Sequence, residues 1–157
     1  MPIEPDAFRQ TLGRFPSGVT VVTFARPDGA VHGITVSSFM SLSLTPPLVG
    51  VAIGHRARAH GMLPGLARFG VSVLAQDQAA VSDHFAGRPV PLSGDPFEGL
   101  DGHPVLLGAA AQLVCDVVDQ VPVGDHTLVV GRIEHARVRA AAALAYAQGR
   151  YGRVELG

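Results

Sequence analysis

Several hydroxyl side chains lie close together in the first third of the chain. Thr35, Ser37, Ser38, Ser41 and Ser43 sit at and just beyond the end of a predicted strand, where backbone N–H groups become free. Hydroxyls and free backbone donors can hydrogen-bond a polar planar ring or a phosphate without any charged group. The stretch indicates either a binding site for such a ligand or a serine-rich strand edge with a structural role.

A cluster of cationic side chains follows shortly afterwards. The turn from Gly54 to His60 carries Arg56 and Arg58 immediately before a segment with helical spacing. Guanidinium groups beside a helix N-terminus suit a phosphate, although a solvated basic turn has the same composition. Together with the hydroxyl stretch, this turn favours a phosphorylated ring cofactor.

Other kinds of chemistry lack the residues they need. The chain contains no lysine, which excludes a Walker-type phosphate loop and Schiff-base catalysis. No metal site is expected, because His55 and His60 lack the i, i+4 spacing of a zinc-binding helix. Cys115 lies in an apolar run and is predicted to be an inert buried thiol. Asp116 and Asp119 have opposite strand parity, so no acid–base pair is expected there.

The composition limits the fold and the cellular location. The 157 residues, 47% of them hydrophobic and 16% charged, predict a single domain spanning residues 1–157 with a substantial core. A net charge of -1 argues against binding to nucleic acid or to an anionic membrane. A single cysteine, a polar N-terminal segment unlike a signal peptide and the lack of a long apolar run predict a cytoplasmic protein.

The elements that must position these residues are mostly strands. Strands are predicted at 19–24, 30–36, 48–53, 69–74, 111–121 and 127–139, the first two joined as a hairpin. Helical patterns are predicted at 5–15, around 62–66, at 76–85 and, on propensity alone, at 140–147, whereas 86–103 is predicted to be a long surface loop. Hairpin-like connections without βαβ alternation favour a mainly β fold, a closed or nearly closed antiparallel barrel. No G-x-G-x-x-G motif is present, so no Rossmann dinucleotide site is expected.

An ordered set of motifs over nearly the whole chain is similar to a known family. The motifs are FPSGVTVVT at 15–23, the hydroxyl stretch at 35–49, FGVSVLAQDQ at 69–78, GDHTLVVG at 124–131 and the closing LAYAQGRYG at 144–152. In this order they resemble the short-chain flavin reductases, the reductase components of two-component flavin-dependent monooxygenases. The resemblance implies an FMN-binding split barrel of Greek-key type with short flanking helices, and a homodimer. It also implies NAD(P)H-dependent reduction of FMN or FAD and transient contact with a partner monooxygenase.

The resemblance also implies which residues form the site. His126, in the Gly-Asp-His motif, would face the nicotinamide and orient the dinucleotide, without serving as an obligate base. The residues assigned to cofactor binding by the same analogy are Ser17, Thr35, Val36, Ser37, Ser38, Ser41, Ile53, His55, Arg56, Ala57, Ala59, Phe85, Arg88, Tyr146 and Tyr151. Within this set, Thr35 to Ser38 would line the isoalloxazine edge, and Ser41 with the turn 53–59 would hold the ribityl phosphate.

The phosphate turn departs from the family pattern. Family members often have Asn or Asp followed by serine and threonine hydroxyls there, whereas this chain has Gly54, Arg56 and Ala59. Lost hydroxyls remove hydrogen bonds, and Arg56 and Arg58 offer charge-assisted ones instead. The affinity for flavin and the choice between FMN and FAD therefore stay open. The sequence also leaves open the choice between NADH and NADPH.

Two other functions are compatible with the same residues. An FMN-binding electron-transfer protein would hold FMN tightly and react poorly with NAD(P)H. A barrel adapted to bind haem or another ligand is the third alternative, because the chain has 7 histidines.

Overall fold

Strands dominate the computed structural model, which describes residues 1–157. The helices are α1, Pro5–Leu12, and α2, Ala79–Phe85, with a short 3-10 helix at Arg58–Met62. The strands are β1 Ser17–Gly18, β2 Thr20–Ala25, β3 Val31–Val36, β4 Met40–Ser43, β5 Leu48–Gly54, β6 Arg68–Val73, β7 Phe97–Leu100, β8 His103–Leu106, β9 Ala111–Val123, β10 His126–Val138, β11 Leu144–Ala147 and β12 Arg150–Arg153.

Seven strands form one antiparallel sheet in the order β3-β2-β6-β9-β10-β5-β4. Side chains from six of these strands meet in one buried cluster, which includes Val22, Val51, Phe69, Cys115 and Val129. Because one face of so many strands points to the same core, the sheet must curve around it. The prediction of a mainly β, antiparallel fold is confirmed.

The two edges of this sheet, β3 and β4, are not joined by backbone pairing. A side chain links β5 to the residues that follow β3. The hydroxyl of Ser38 donates to the carbonyl of Ala52 and accepts from its N–H, both at 3.0 Å. The opening between β3 and β5 is therefore bridged by one serine.

A second, smaller core lies between the main sheet, α2 and a three-stranded sheet of order β1-β11-β12. It contains Val21 of β2, Leu74, Leu106 of β8 and Leu144 of β11, all nearly inaccessible to solvent. Tyr146 and Tyr151 pack against this cluster from the three-stranded sheet. The C-terminal strands are thereby fixed beside α2.

The predicted helix at 140–147 is wrong. Its second half is β11, which pairs with β1 and β12, while Gln148 and Gly149 adopt positive φ in the turn between β11 and β12. Alanine-rich sequence favours a helix locally, but burial of Leu144 in the second core determines the conformation. No alternating pattern in this segment signals a strand.

The predicted loop at 86–103 contains a strand, β7, which forms a two-stranded sheet with β8. The hydroxyl stretch likewise contains β4, an edge strand with a bulge opposite β5. α1 forms near the predicted position, beginning at Pro5, but none of its residues is buried. No helix of the structure is long and apolar enough to cross a membrane.

The prediction for Cys115 is confirmed. Its side chain is fully buried, and burial, followed by the nearby carboxylates Asp116 and Glu134, raises the pKa of the thiol to about 12. Asp116 does not pair with Asp119 but accepts a hydrogen bond from Arg68 at 3.0 Å.

Candidate functional site

Thr35, near the end of β3, lines three adjoining cavities. One opens between β3 and β5, one lies between α2 and the C-terminal sheet, and one follows the free edge of β3. The hydroxyl of Thr35 donates to the carbonyl of Ser82 in α2 at 2.6 Å. This bond fixes the side chain and leaves its oxygen free only as an acceptor.

The first cavity, which we call the central cleft, lies where β3, β5 and the start of β10 converge. It has a volume of about 270 Å³. Its lining brings together six of the predicted site residues: Thr35, Val36, Ser37, Ser38, Ile53 and His126. The hydroxyl of Ser38 is already used in bridging to Ala52, so Ser37 carries the exposed hydroxyl of this group.

His126 stands at one side of the central cleft. Its Nδ1 lies 2.7 Å from the Oδ1 of Asp125, and the hydrogen bond and charge of His126 hold the pKa of that carboxyl below its usual value. The ring lies beside Gly54, where an added Cβ would come 3.6 Å from Nε2. Because Nδ1 is engaged by the carboxylate, Nε2 is the ring nitrogen that remains for a ligand.

The second cavity, the tyrosine pocket, has a volume of about 180 Å³ and lies between α2 and the C-terminal strands. Tyr146, Tyr151 and Arg88 line it together with Ser37. The hydroxyl of Tyr151 lies 2.6 Å from Asp83 Oδ1 and 2.8 Å from Ser82 Oγ. Burial, and then the bond to Asp83, raise the pKa of Tyr151.

Arg88 completes this network at the rim of the tyrosine pocket. Its guanidinium lies 3.0 Å from the same Asp83 oxygen and is mostly exposed to solvent. One carboxylate therefore orients both a phenol and a guanidinium at the pocket.

The third cavity, the β3 trough, runs along the free edge of β3 and has a volume of about 620 Å³. The end of α2, with His84 and Phe85, forms one wall, and Ala57 and Arg58 form the other. Gly33 lies beneath the ring of Phe85, where an added Cβ would come within 2.7 Å of Cδ1. Only glycine permits this close approach of the ring to the strand.

Several predicted site residues line none of these three cavities: Ser17, Ser41, His55, Arg56 and Ala59. The side chain of Ala59 is fully buried in the main core. Any contact of this residue with a phosphate would have to use its backbone. The assignment of the phosphate to the turn 53–59 stays a prediction for these residues.

Sequence reasoning did not single out Ser82, Asp83 or His84. Ser82 and Asp83 contact Tyr151 across 69 and 68 residues of chain. No local pattern in the sequence signals a contact over that separation.

The donor set of the central cleft fits a flavin. The lining combines backbone groups, a serine hydroxyl and an imidazole with the apolar residues Val36, Ala52 and Ile53. A flavin ring system needs an apolar contact surface and hydrogen-bonding groups at its polar edge. No three His, Cys, Asp or Glu side chains come together in a way that could hold a metal ion.

Comparisons with known proteins agree with this geometry. Residues 12–155 match the family model described as flavin reductase like domain. An NADH-dependent flavin reductase from Rhodococcus is 46% identical over 84% of this chain and 76% of its own. The reductase component of 4-hydroxyphenylacetate 3-monooxygenase from Thermus thermophilus is 45% identical over 85% of each chain.

Solved structures of flavin reductases also resemble this chain. A flavin reductase solved in its native state is 38% identical and superposes with a TM-score of 0.92 over 98% of this chain and 100% of its own. The motifs that resemble flavin reductases and the cleft around Thr35 thus lie in a fold shared with such enzymes. The chain belongs to the flavin reductase-like family.

Proposed function

We propose that this protein is a flavin reductase that transfers hydride from NAD(P)H to FMN or FAD, and that NADH is the preferred donor. The observation that carries the proposal is the convergence of Thr35, Ser37 and His126 on one cleft. Its support is membership of the flavin reductase-like family and the NADH dependence in the name of the Rhodococcus relative.

The reaction requires little proton transfer by side chains of the protein. Bound flavin supplies the acceptor for a hydride from the nicotinamide, a transfer that needs the two rings stacked at about 3–3.5 Å. No carboxylate lines the central cleft, and His126 is its one titratable side chain. The chain's residues therefore act by binding, orienting and excluding water.

Each group of residues has a distinct role in this proposal. Ser37 and the backbone of residues 35–38 bind the polar edge of the flavin, and Thr35 offers an acceptor oxygen there. His126 orients the dinucleotide through Nε2, with Asp125 fixing the tautomer of the ring. The residues of the tyrosine pocket shield the side of the flavin that faces away from His126. These residues are Tyr146, Tyr151 and Arg88.

The proposal includes a fold and domain assignment. The seven-stranded sheet is a split barrel of Greek-key type, and residues 1–157 form one domain. The support is the shared core inside the curved sheet and the Ser38 bridge across its open side.

The protein also forms a homodimer in this proposal. Met40 and Leu42 of β4 lie with Leu128 of β10 around Gly50 on the outer face of the sheet, and the first two are 42% and 43% exposed. Such an apolar patch on a sheet face suits a second copy of the chain. Light scattering should give a dimer mass, and Leu42→Glu should lower it, while Val138→Glu at the far end of β10 should not. A monomeric native protein would contradict this assignment.

A monooxygenase is the proposed recipient of the reduced flavin, as the name of the Thermus relative indicates for that protein. Both proteins would work in the cytoplasm. Contact between them need only be transient, because reduced flavin can diffuse from one to the other.

The test is NADH oxidation by the purified protein, followed by absorbance, with and without added FMN. FAD and NADPH are then substituted in turn. A rate that rises and saturates with added flavin is expected. A protein that purifies yellow with FMN but oxidises neither NADH nor NADPH would instead be the electron-transfer protein considered above.

A further inference from the structure

A fourth cavity, which we call the hairpin pocket, lies at the opposite end of β2 from the central cleft. Residues 24–27 form one side, residues of the segment 61–68 form the other, and His103 also lines it. Its volume is about 530 Å³, a size typical of small-molecule sites. The hairpin pocket shares no lining residue with the three cavities described above.

The distance between the hairpin pocket and the central cleft follows from the strand register. Thr20 of β2 pairs with Val36, which lines the cleft, and Phe24 lies four residues further along the same strand. At about 3.3 Å per residue this separation is about 13 Å. A small molecule in the hairpin pocket would therefore not contact a flavin in the cleft.

The most informative residue of the hairpin pocket is His103. Its side chain is only 5% exposed, and its Nε2 donates to the carbonyl of Thr23 at 3.1 Å. The other ring nitrogen, Nδ1, forms no hydrogen bond within the chain. Every fully buried side-chain nitrogen or oxygen has a hydrogen-bond partner, so Nδ1 must reach an accessible surface, and the cavity that His103 lines is the hairpin pocket.

The state of this imidazole determines which ligand group it can bind. Burial lowers the pKa of His103, and the nearby charge of Arg68 acts in the same direction. In a neutral ring that carries its proton on Nε2, Nδ1 has a free lone pair and accepts a hydrogen bond. The ligand group at this position must therefore be a donor, such as a hydroxyl.

Much of the remaining lining is apolar. Phe24 is almost fully buried, and Met62 and Leu66 pack as partly buried residues against the same core. Pro27 and Pro64 add apolar surface on either side. These side chains provide contact area for a flat apolar body, of which an aromatic ring is the most compact example.

The charged residues of the hairpin pocket are both arginines, and no Asp or Glu lines it. The guanidinium of Arg68 is already paired, with Nε 3.0 Å from Asp116 and Nη1 3.0 Å from Asp101. Arg26 is about half exposed, and its one carboxylate neighbour, Asp28, lies 4.0 Å away. Arg26 is therefore the cation that remains available for an anionic group of a ligand.

We propose that the hairpin pocket binds a small hydroxylated aromatic acid. The hydroxyl donates to Nδ1 of His103, the ring packs against Phe24 and Leu66, and the carboxylate binds Arg26. The site lies outside the residues assigned to flavin reduction. The two proposals can therefore fail independently.

The first experiment uses 4-hydroxybenzoate as the probe and measures its binding to the full chain by titration calorimetry at about pH 7.5, where a phenol keeps its proton. The matched ligand is 4-methoxybenzoate, which keeps the ring, the carboxylate and the oxygen but cannot donate a hydrogen bond. The hydroxyl compound should bind about fivefold more tightly, the effect of one hydrogen bond between neutral groups. Phenol, which lacks the carboxylate, should bind about tenfold more weakly than 4-hydroxybenzoate.

Variants of Arg26 test the carboxylate contact without disturbing the core. Arg26→Gln should weaken 4-hydroxybenzoate binding about tenfold and leave phenol binding within about twofold. Arg26→Lys should restore part of the loss. Arg153→Gln is the control, at an exposed arginine that does not line the hairpin pocket, and should change neither affinity.

A variant of His103 tests the hydrogen bond. His103→Phe keeps an aromatic ring but has no acceptor, so the preference for 4-hydroxybenzoate over 4-methoxybenzoate should disappear. Circular dichroism checks that the variant folds, because the carbonyl of Thr23 loses its partner. Should it not fold, the ligand pair and the Arg26 variants decide the question in the native fold.

Competition with FMN distinguishes the hairpin pocket from the central cleft. Saturating FMN should change the affinity for 4-hydroxybenzoate by less than about twofold, because the two sites share no residue. Displacement of the probe by FMN would overturn the proposal, as would a lack of binding, equal binding of the hydroxyl and methoxy compounds, or an unchanged affinity in Arg26→Gln. Calorimetry needs no turnover, so failure of the reductase activity would be seen separately.

Discussion

The phenol oxygen of Tyr151 lies 2.6 Å from Oδ1 of Asp83, and this contact ties the last strand of the chain to α2. Asp83 also forms an ion pair with Arg88, and the backbone carbonyl of the neighbouring Ser82 accepts a hydrogen bond from the hydroxyl of Thr35. The two helix residues therefore connect the C-terminal sheet to the end of β3. Both sides of the tyrosine pocket depend on them.

Removing the phenol oxygen tests this connection. Tyr151→Phe should lower the free energy of unfolding by about 1–2 kcal/mol, because Asp83 and Ser82 lose a partner in a partly buried place. Denaturant unfolding measures the change. Tyr146→Phe is the matched control, since the hydroxyl of Tyr146 forms no hydrogen bond within the chain. Equal losses in the two variants would show that the Asp83 contact contributes nothing specific.

His126 should govern dinucleotide binding more than the chemical step. His126→Ala should raise the KM for NADH about tenfold, the effect of losing one well-aligned polar contact, with kcat changed by less than about threefold. Steady-state kinetics at saturating flavin separate the two parameters. Asp125→Asn should have a smaller effect in the same direction, because the ring loses the carboxylate that fixes its tautomer. Unchanged KM and kcat in His126→Ala would contradict this role.

Gly131 of β10 packs tightly against β6 and β9. It lies opposite a register shift at Val118 of β9, and an added Cβ would come 2.5 Å from Cζ of Phe69 and 2.8 Å from Cβ of Cys115. Gly131→Ala should destabilise the protein by about 1–3 kcal/mol, because the added methyl group would push against the fully buried ring of Phe69. Thermal unfolding of the variant and the native protein measures this loss of stability. Gly99→Ala, which would meet nothing within 4 Å, should be nearly neutral.

The sequence predicted the elements whose local pattern agrees with their burial. β2, β3, β5, β6, β9 and β10 alternate or run apolar as half-buried and buried strands do, and all six form near their predicted positions. β11 was mistaken for a helix because Ala140–Ala147 has helical propensity, and only contact with β1 and β12 makes it a strand. The main sheet was therefore predictable, and the small C-terminal sheet was not.

The candidate site, like the fold, was only partly predictable from the sequence. Thr35 to Ser38 and His126 could be named because the hydroxyl stretch and the Gly-Asp-His motif are continuous in sequence. His55 and Arg56 belong to a basic turn that is also continuous in sequence, yet they line none of the three cavities. Ser82 and Asp83 were missed because their role arises from contacts with β3 and β12, distant in sequence.

The buried His103 should make the fold sensitive to acid. It is only 5% exposed, its Nε2 donates to the carbonyl of Thr23 at 3.1 Å, and burial lowers its pKa below the usual value of 6.5. In the unfolded chain the imidazole takes up a proton near its usual pKa, while in the folded protein it resists until lower pH. The stability that the neutral ring contributes is therefore complete above about pH 6.5 and is lost as the pH falls toward the lowered pKa.

The melting temperature of the native protein should accordingly fall as the pH drops below about 6.5, and His103→Gln should reduce this fall. His32 also has a lowered pKa, so part of the acid sensitivity should remain in that variant. Differential scanning calorimetry across this range measures both effects. A His103→Gln protein with the same acid-dependent loss of melting temperature as the native chain would mean that protonation of His103 does not drive it. The sensitivity that remains in His103→Gln should be smaller still in the double variant His103→Gln/His32→Gln, in which neither imidazole is left to take up a proton.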